Sequence, residues 1–157
     1  MEHIPSIKYQ TFIAASPDKV YRAIATGSGW DDWFTTKATI HLEEMSYDFY
    51  WENFGGGRET VSQNGRIIHA EHNRKFGLEW QTAEDGNRTI ANFVLTPHGT
   101  GTLVELEESG YTWSEKDIRV SLICAGGWGE ALTLLKFYLE HGITYGDVPE
   151  SIDGSKH

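Results

Sequence analysis

The sequence predicts an α+β fold in which one antiparallel sheet of about six or seven strands packs against a long C-terminal helix. Apolar residues recur with a period of two over about 75 residues in the middle of the chain, and with a period of 3.6 in the last third. Two short helical patterns follow the first predicted strand. The loops between successive strands are short, which favours antiparallel pairing because parallel strands need long crossover connections.

The N-terminal region predicts one strand and then two short helices. Apolar and polar residues alternate over residues 7–14, which is typical of a half-buried strand. Ser16 is a favourable N-cap and Pro17 suits the first helical position, so a helix is expected to begin there. The glycines within residues 26–29 are expected to end this helix, and Trp30–Phe34 is expected to form one further helical turn.

The middle region predicts strands that are separated by turn residues. Asn64-Gly65 is a strong hairpin signal, so a turn is expected there. Gly55–Gly57 is interpreted as a turn or bulge and not as a phosphate-binding loop, because neither the Lys-Ser/Thr pair nor a helical pattern follows it. The predicted strands are Lys37–Glu43, Tyr47–Phe54, Arg58–Gln63, Arg66–His72, Lys75–Gln81, Arg88–Thr96 and Thr102–Glu108.

The last third predicts the long helix, which begins after Ser114 and ends at Gly142. Its segment Gly126–Gly129 contains three glycines, and each would cost on the order of 1 kcal/mol inside a helix. Either a break in the helix or a close approach to another element is therefore expected there. Leu132 and Leu135 share one stripe with Trp128, which is expected to face the sheet.

Length and charge limit the classes of function. The 157 residues fit a single domain, here residues 1–145, followed by a short polar tail over residues 146–157. The net charge of −10 repels phosphate backbones and anionic lipids, so neither nucleic acid nor a membrane surface is expected as a partner. No apolar run approaches the roughly 18 residues of a membrane span. A monomer or a weak homodimer is expected.

Cysteine and histidine usage predicts a cytoplasmic protein without a metal or another cofactor. The chain has one cysteine, Cys124, and its first residues lack the basic and apolar regions of a signal peptide. His69 and His72 fall on opposite faces of a predicted strand, so they cannot chelate one ion. Cys124 is interpreted as inert packing. Glu105, Glu107 and Glu108 are interpreted as a solvated face.

Aromatic side chains are the informative feature, since they make up 13% of the chain and include six tryptophans. Two interpretations stay open: a solid aromatic core, or a pocket for a flat or hydrophobic ligand. The periods of 3.6 on the helix and two on the strands predict that Trp51, Trp80 and Phe93 face the stripe on the long helix. The candidate ligand-binding residues are Trp30, Trp33, Phe34, Phe49, Trp51, Trp80, Phe93, Trp113, Trp128, Leu132 and Leu135.

Several motifs, in order and over about residues 7–142, carry a family resemblance. The opening Ser16-Pro17 with Val20-Tyr21-Arg22-Ala23-Ile24, Trp30 and Trp33-Phe34 resembles the START-like superfamily, also called SRPBCC or Bet v 1-like. The segments Gly65-Arg66-Ile67, Leu78-Glu79-Trp80, Val94-Leu95-Thr96-Pro97, Leu106-Glu107-Glu108-Ser109-Gly110-Tyr111 and Gly127-Trp128 are similar to its branch that contains the activator of heat-shock-protein-90 ATPase.

The resemblance implies a helix-grip fold, in which a bent sheet wraps around the terminal helix and leaves a cavity between them. It implies that the glycines near Trp128 lie at the opening of that cavity. The sequence departs from the family at Met45-Ser46-Tyr47, where the family usually has a Gly-Gly pair.

Three functions are weighed. The first is non-catalytic binding of a hydrophobic or aromatic small molecule, such as a lipid, flavonoid or polyketide. The second, which rests on the resemblance alone, is contact with a chaperone or another protein partner. The third is an enzyme, a cyclase, dehydratase or hydrolase acting on an aromatic compound, for which His69, Glu71 and Tyr138 are the candidate inward polar groups.

Overall fold

A computed structural model describes residues 2–145 and contains seven strands and three helices in that range. The predicted tail over residues 146–157 lies outside the described residues. The elements in chain order are β1 (Ile7–Ile13), α1 (Pro17–Ala25), α2 (Gly27–Trp33), β2 (Lys37–His41), β3 (Ser46–Phe54), β4 (Glu59–Glu71), β5 (Lys75–Thr82), β6 (Arg88–His98), β7 (Gly101–Ser109) and α3 (Glu115–His141).

The seven strands form one antiparallel sheet in the order β1-β7-β6-β5-β4-β3-β2. The sheet curves around α3, while α1 and α2 follow β1, so the predicted helix-grip α+β fold is confirmed. In β6, alternate residues face the interior, namely Thr89, Ala91, Phe93 and Leu95. The hydrophobic core therefore lies between the concave face of the sheet and the three helices.

The first two helices begin at side-chain caps. The hydroxyl of Ser16 accepts a hydrogen bond from the backbone N–H of Lys19, as expected for an N-cap. As predicted, α1 ends at Ala25 and a second short helix follows; α2 begins at Gly27, earlier than the expected turn at Trp30, behind its own cap, Thr26. A Cβ at Gly27 would collide with the carbonyl oxygen of Ala38, so glycine is needed there for the close packing of α2 on β2.

The hairpin turn expected at Asn64-Gly65 does not form, and β4 runs straight through both residues. Gly65 pairs with Tyr47 of β3, and a Cβ on Gly65 would lie 3.1 Å from the Tyr47 ring and 3.2 Å from a guanidinium nitrogen of Arg88. This glycine serves a close packing contact and not a turn. At the start of β3, Met45 adopts φ 51°, a conformation that glycine usually supplies, so a non-glycine residue makes the turn where the family's Gly-Gly pair is missing.

The long helix α3 is continuous, so the break considered at Gly126–Gly129 is absent. The close approach considered there is also absent within the described residues at Gly126 and Gly127, where an added Cβ would find no heavy atom within 4 Å. The resemblance implied that these two glycines lie at the opening of an internal cavity. That prediction is wrong, because both glycines face solvent. The helix begins behind Ser114, whose hydroxyl accepts from the Asp117 N–H, and ends at Gly142 with φ 69°.

Contrary to the expectation from apolar runs, α3 has the length and mean hydropathy, 1.3 over its best window, of a membrane span. Its inner face nevertheless packs in the core through Trp128, Ala131, Leu132 and Leu135, which are all buried. The core helix of a soluble protein meets the same two criteria, although only 28% of this window of α3 is buried.

Candidate functional site

A chain of aromatic rings crosses the interior from the β3–β4 turn to α3. The ring centroids of Phe54 and Trp51 are 5.1 Å apart, those of Trp51 and Phe49 are 5.7 Å apart, and those of Phe49 and Trp80 are 6.2 Å apart. The ring of Trp80 then lies 4.7 Å from that of Trp128 on α3. The periodicity of the sequence therefore correctly predicted that the aromatic residues of β3, β5 and α3 share one interior surface.

Trp30 and Trp33 of α2 form a fixed part of this interior. Both side chains are fully buried, and their centroids are 4.6 Å apart. The indole N–H of Trp30 donates to the carbonyl oxygen of Ile24 at 2.6 Å, and that of Trp33 donates to the carbonyl oxygen of Ala23 at 2.8 Å. Because both polar atoms are satisfied by α1, these two tryptophans hold α2 against α1.

Trp51 differs from these two tryptophans because its indole nitrogen is buried without a hydrogen-bond partner among the described residues. Only 2% of the residue is exposed. The pairing of β3 with β4 becomes irregular between Trp51 and Phe54, and Asn53 within this bulge takes φ 55°. A buried unpaired N–H costs about 1–3 kcal/mol, so an acceptor from outside the chain would be well placed here.

At the other end of the ring chain lies a buried carboxylate. Glu108 has no exposed surface; the hydroxyl of Thr89 donates to its Oε2 at 2.7 Å and the indole N–H of Trp128 donates to its Oε1 at 2.9 Å. The interpretation of Glu108 as part of a solvated face is therefore wrong. The alternation of β7 could have predicted this burial, because it places residue 108 on the same face as Val104 and Leu106.

Tyr111 and Cys124 extend this polar cluster. The Tyr111 hydroxyl donates to the Cys124 sulfur at 3.2 Å. Burial raises the pKa of the Cys124 thiol to about 11, although the hydrogen bond from Tyr111 opposes this. Burial, with the nearby Glu108 carboxylate, also raises the pKa of Tyr111. Both groups are therefore neutral at physiological pH, and Cys124 lacks the thiolate that a nucleophile needs.

The other candidate residues divide into core and surface. Phe34 and Phe93 lie in the aromatic interior, where their rings contact Trp33 and Trp128. Leu132 and Leu135 are fully buried on α3. Trp113 does not belong with them, because it lies just before the N-cap of α3 with 57% of its surface exposed. The periodicity could not place Trp113, since it lies outside any regular element.

The three polar residues considered for catalysis do not come together in the interior. His69 lines a depression of about 640 Å³ on the outer face of the sheet, together with Lys75, Asn92 and Glu105, and Glu71 is exposed. The Tyr138 hydroxyl donates to Oδ2 of Asp32 at 2.8 Å, and this bond raises the pKa of Tyr138. Among residues 2–145, no group of three or more His, Cys, Asp or Glu side chains is arranged to hold a metal ion.

A family profile described as "Activator of Hsp90 ATPase homolog 1-like protein" matches residues 14–140. The chain belongs to this family. The matched range contains the ring chain and Glu108, and it confirms the resemblance inferred from the motifs. No curated protein matches the sequence significantly.

Solved structures share the fold of this family member at low sequence identity. Protein SSP2350 from Staphylococcus saprophyticus has a TM-score of 0.73 at 19% identity, over 92% of this chain and 98% of that one. The Aha1 dimer from Colwellia psychrerythraea has a TM-score of 0.68 at 21% identity, over 88% and 98%. DynU16, from the dynemicin biosynthetic locus, has a TM-score of 0.60 at 14% identity, over 88% and 48%. These similarities concern the fold alone.

Proposed function

We propose that this family member binds a flat, hydrophobic or aromatic small molecule between the sheet and α3, without catalysing a reaction. The observation that carries the proposal is the buried indole N–H of Trp51, which has no acceptor among the described residues. A ligand carbonyl or ether oxygen would satisfy this donor and recover the free energy lost by burying it unpaired. The rings of Phe34, Phe49 and Phe54 around Trp51 would supply the apolar contacts.

The β3–β4 turn is the proposed opening of the site. Phe54 is only half-buried, whereas Trp51 behind it is buried, and three glycines follow Phe54 in an exposed loop. Rotation of the Phe54 ring away from Trp51 would expose the indole edge to a ligand without changing the sheet. Because this rotation gives up an aromatic contact, we expect a modest affinity that depends on how well the ligand replaces the ring.

Glu108 supplies a second polar position deeper in the site. Its carboxylate oxygens accept hydrogen bonds from Thr89 and Trp128, and the Tyr111 hydroxyl lies against it, which leaves about one of its roughly four acceptor positions for a ligand. A ligand with an acceptor at one end and a hydroxyl or amine at the other would therefore satisfy both ends of the ring chain. The structural neighbour DynU16 comes from a biosynthetic locus, which is an association that fits a small-molecule role for this fold.

The experiment compares two Trp→Phe variants against a panel of a flavonoid, an aromatic polyketide and a fatty acid. Trp51→Phe removes the unpaired N–H, and Trp33→Phe removes an N–H that is bonded to Ala23. We expect at least one carbonyl-bearing aromatic compound to bind more tightly than about 1 mM, and Trp51→Phe to weaken it about tenfold. Trp33→Phe should leave the affinity within about twofold.

Two outcomes would contradict the proposal. In the first, no member of the panel binds more tightly than about 1 mM, measured by calorimetry and by ligand-observed NMR. In the second, binding occurs and Trp51→Phe leaves the affinity unchanged, which would place the ligand elsewhere. The chaperone-partner function implied by the family stays a prediction, and enrichment of a chaperone from lysate in stoichiometric amounts would test it.

A further inference from the structure

The solvent side of α3 carries an apolar stripe that no other part of residues 2–145 covers. We call it the α3 stripe, and its residues are Arg119, Leu122, Ile123, Gly126 and Glu130. Leu122 and Ile123 are 69% and 74% exposed. At 3.6 residues per turn the stripe lies opposite the buried face of the same helix, so it makes no contribution to the core.

The two glycines beside Leu122 and Ile123 make no close packing contact with any other described residue. Gly126 and Gly127 are exposed, and a Cβ on either would meet no heavy atom of residues 2–145 within 4 Å. Glycine is unfavourable in the middle of a helix, so its presence at two adjacent positions needs a reason. A flat glycine surface next to two large apolar side chains allows the backbone of a second helix to approach closely.

We propose that the α3 stripe is the surface through which two copies of this chain associate, with their α3 helices antiparallel about a two-fold axis between residues 124 and 125. The stripe is self-complementary about that point. Ile123 then lies opposite the partner's Gly126, so a large side chain meets a flat surface. Arg119 lies opposite the partner's Glu130, so opposite charges meet at both ends of the contact.

The opposite charges at the two ends of the stripe favour a second copy over a membrane. The chain has a net charge of −10, which disfavours an anionic lipid surface, and the stripe itself ends in one positive and one negative residue. Glu130 makes no ion pair with another described residue, whereas Arg119 pairs with Glu115 on its own helix. The helix segment from Arg119 to Glu130 is about 16 Å long, at 1.5 Å per residue. Because the interface that it can form is small, we expect a reversible, concentration-dependent dimer.

The test is sedimentation velocity of the whole chain between about 1 and 500 μM, the range in which a contact of this size associates. We expect a monomer–dimer equilibrium that Gly126→Leu shifts at least about tenfold towards monomer, because the leucine blocks the close approach. Arg119→Glu and Glu130→Arg should each weaken the dimer, and the double variant R119E/E130R should restore it, because the exchanged charges face each other again. Arg22→Glu, which breaks the similar Asp18 pair on α1, is the matched control and should leave the dimer unchanged.

Three results would overturn the proposal. The first is a monomer across the whole concentration range. The second is a dimer that Gly126→Leu and both charge reversals leave intact, which would place the interface on another surface. The third is a double variant that stays as weak as the single ones, which would exclude the antiparallel register. A monomer that instead co-sediments with neutral phosphatidylcholine vesicles would assign the stripe to a lipid surface and likewise overturn self-association.

Discussion

The indole N–H of Trp128 donates a 2.9 Å hydrogen bond to the buried carboxylate of Glu108, which joins α3 to β7 inside the aromatic core. Thr89 of β6 donates to the other oxygen of the same carboxylate. A charge buried among aromatic rings is tolerated only when it is well hydrogen-bonded, so the Glu108 carboxylate needs both donors, Thr89 and Trp128. Trp128 is therefore a structural anchor as well as one wall of the proposed site.

This contact changes the expected ranking of two α3 substitutions. From the sequence alone, Trp128→Ala would cost less stability than Leu135→Ala, because Trp128 would lie near an opening. In the structure, Trp128 is buried and donates a hydrogen bond to Glu108, so we expect Trp128→Ala to be the more destabilising variant. It should lower the free energy of unfolding by about 3–5 kcal/mol or more, and Leu135→Ala should lower it by about 2–5 kcal/mol. Urea unfolding of both variants measures the difference.

Trp128→Phe isolates the hydrogen bond from the packing. It should lower the free energy of unfolding by about 1–3 kcal/mol in the parent protein. In a Glu108→Gln background the loss should be clearly smaller, because the substitution then leaves no buried charge without a donor. Equal costs in the two backgrounds would mean that the hydrogen bond to Glu108 contributes nothing to stability.

Two glycine substitutions should have opposite effects on stability. Gly65→Ala places a methyl group 3.1 Å from the Tyr47 ring and 3.3 Å from the Glu79 Cβ, so we expect it to destabilise the fold by about 1–3 kcal/mol. Gly126→Ala meets open space inside a helix and should stabilise the isolated chain by about 0.5–1 kcal/mol. Thermal melts at low concentration compare the two, and destabilisation by Gly126→Ala would contradict the exposed position of this residue.

Acid should weaken the junction before α3. Asp117 accepts hydrogen bonds from the backbone N–H groups of Thr112, at 2.8 Å, and Glu84, at 3.0 Å. Burial by itself raises the pKa of Asp117, but these bonds outweigh it and lower the pKa below its ordinary value. Because the folded pKa is the lower one, the stabilisation is fully present above about pH 5 and is lost as the pH falls through the ordinary pKa of about 3.9 towards the lowered one.

The measurement is the free energy of unfolding of Asp117→Asn and the parent as a function of pH. The variant should be about 1–3 kcal/mol less stable at pH 7, and the difference should shrink below about pH 4. A difference that stays constant down to acid pH would show that the charge of Asp117 has no part in it.

Cys124 should react slowly with thiol reagents in the folded state. Its pKa, raised to about 11 by burial, leaves almost no thiolate at pH 7.5. We expect labelling by iodoacetamide at least about tenfold slower than that of an unfolded control in urea, whose thiol has an ordinary pKa of about 8.5. Equal rates in the two states would contradict the burial of this thiol.

The sequence predicted the fold well because the two periodicities are local signals. The alternation over β3 and β5–β7 and the stripe on α3 each depend on which residues face the core, and the structure confirms these elements with small changes at their ends. The errors in the fold concern glycines, which either pack closely against another element or meet none of the described residues. Gly65 and Gly126 look alike to a propensity argument, yet the first lies against Tyr47 and the second faces solvent.

The site was less predictable than the fold. Strands rich in aromatic residues indicated an aromatic interior. No local pattern shows that the N–H of Trp51 has no acceptor within residues 2–145, while those of Trp30 and Trp33 are bonded to α1. That difference depends on how three elements meet in space. The buried position of Glu108 could be predicted from its register with Leu106, but it was outweighed by the general tendency of glutamate to be exposed.

The indole N–H resonance of Trp51 tests the proposed ligand site most directly. In a ¹H–¹⁵N spectrum, the signal is assigned by its loss in Trp51→Phe, and the signals of Trp30 and Trp33 serve as internal controls. When a carbonyl-bearing aromatic ligand is added, we expect the Trp51 proton to move downfield as it gains an acceptor, while the two control signals stay in place. A ligand that binds without shifting the Trp51 signal would contradict the proposed site. So would a ligand that shifts only the signals of residues around His69, on the outer face of the sheet.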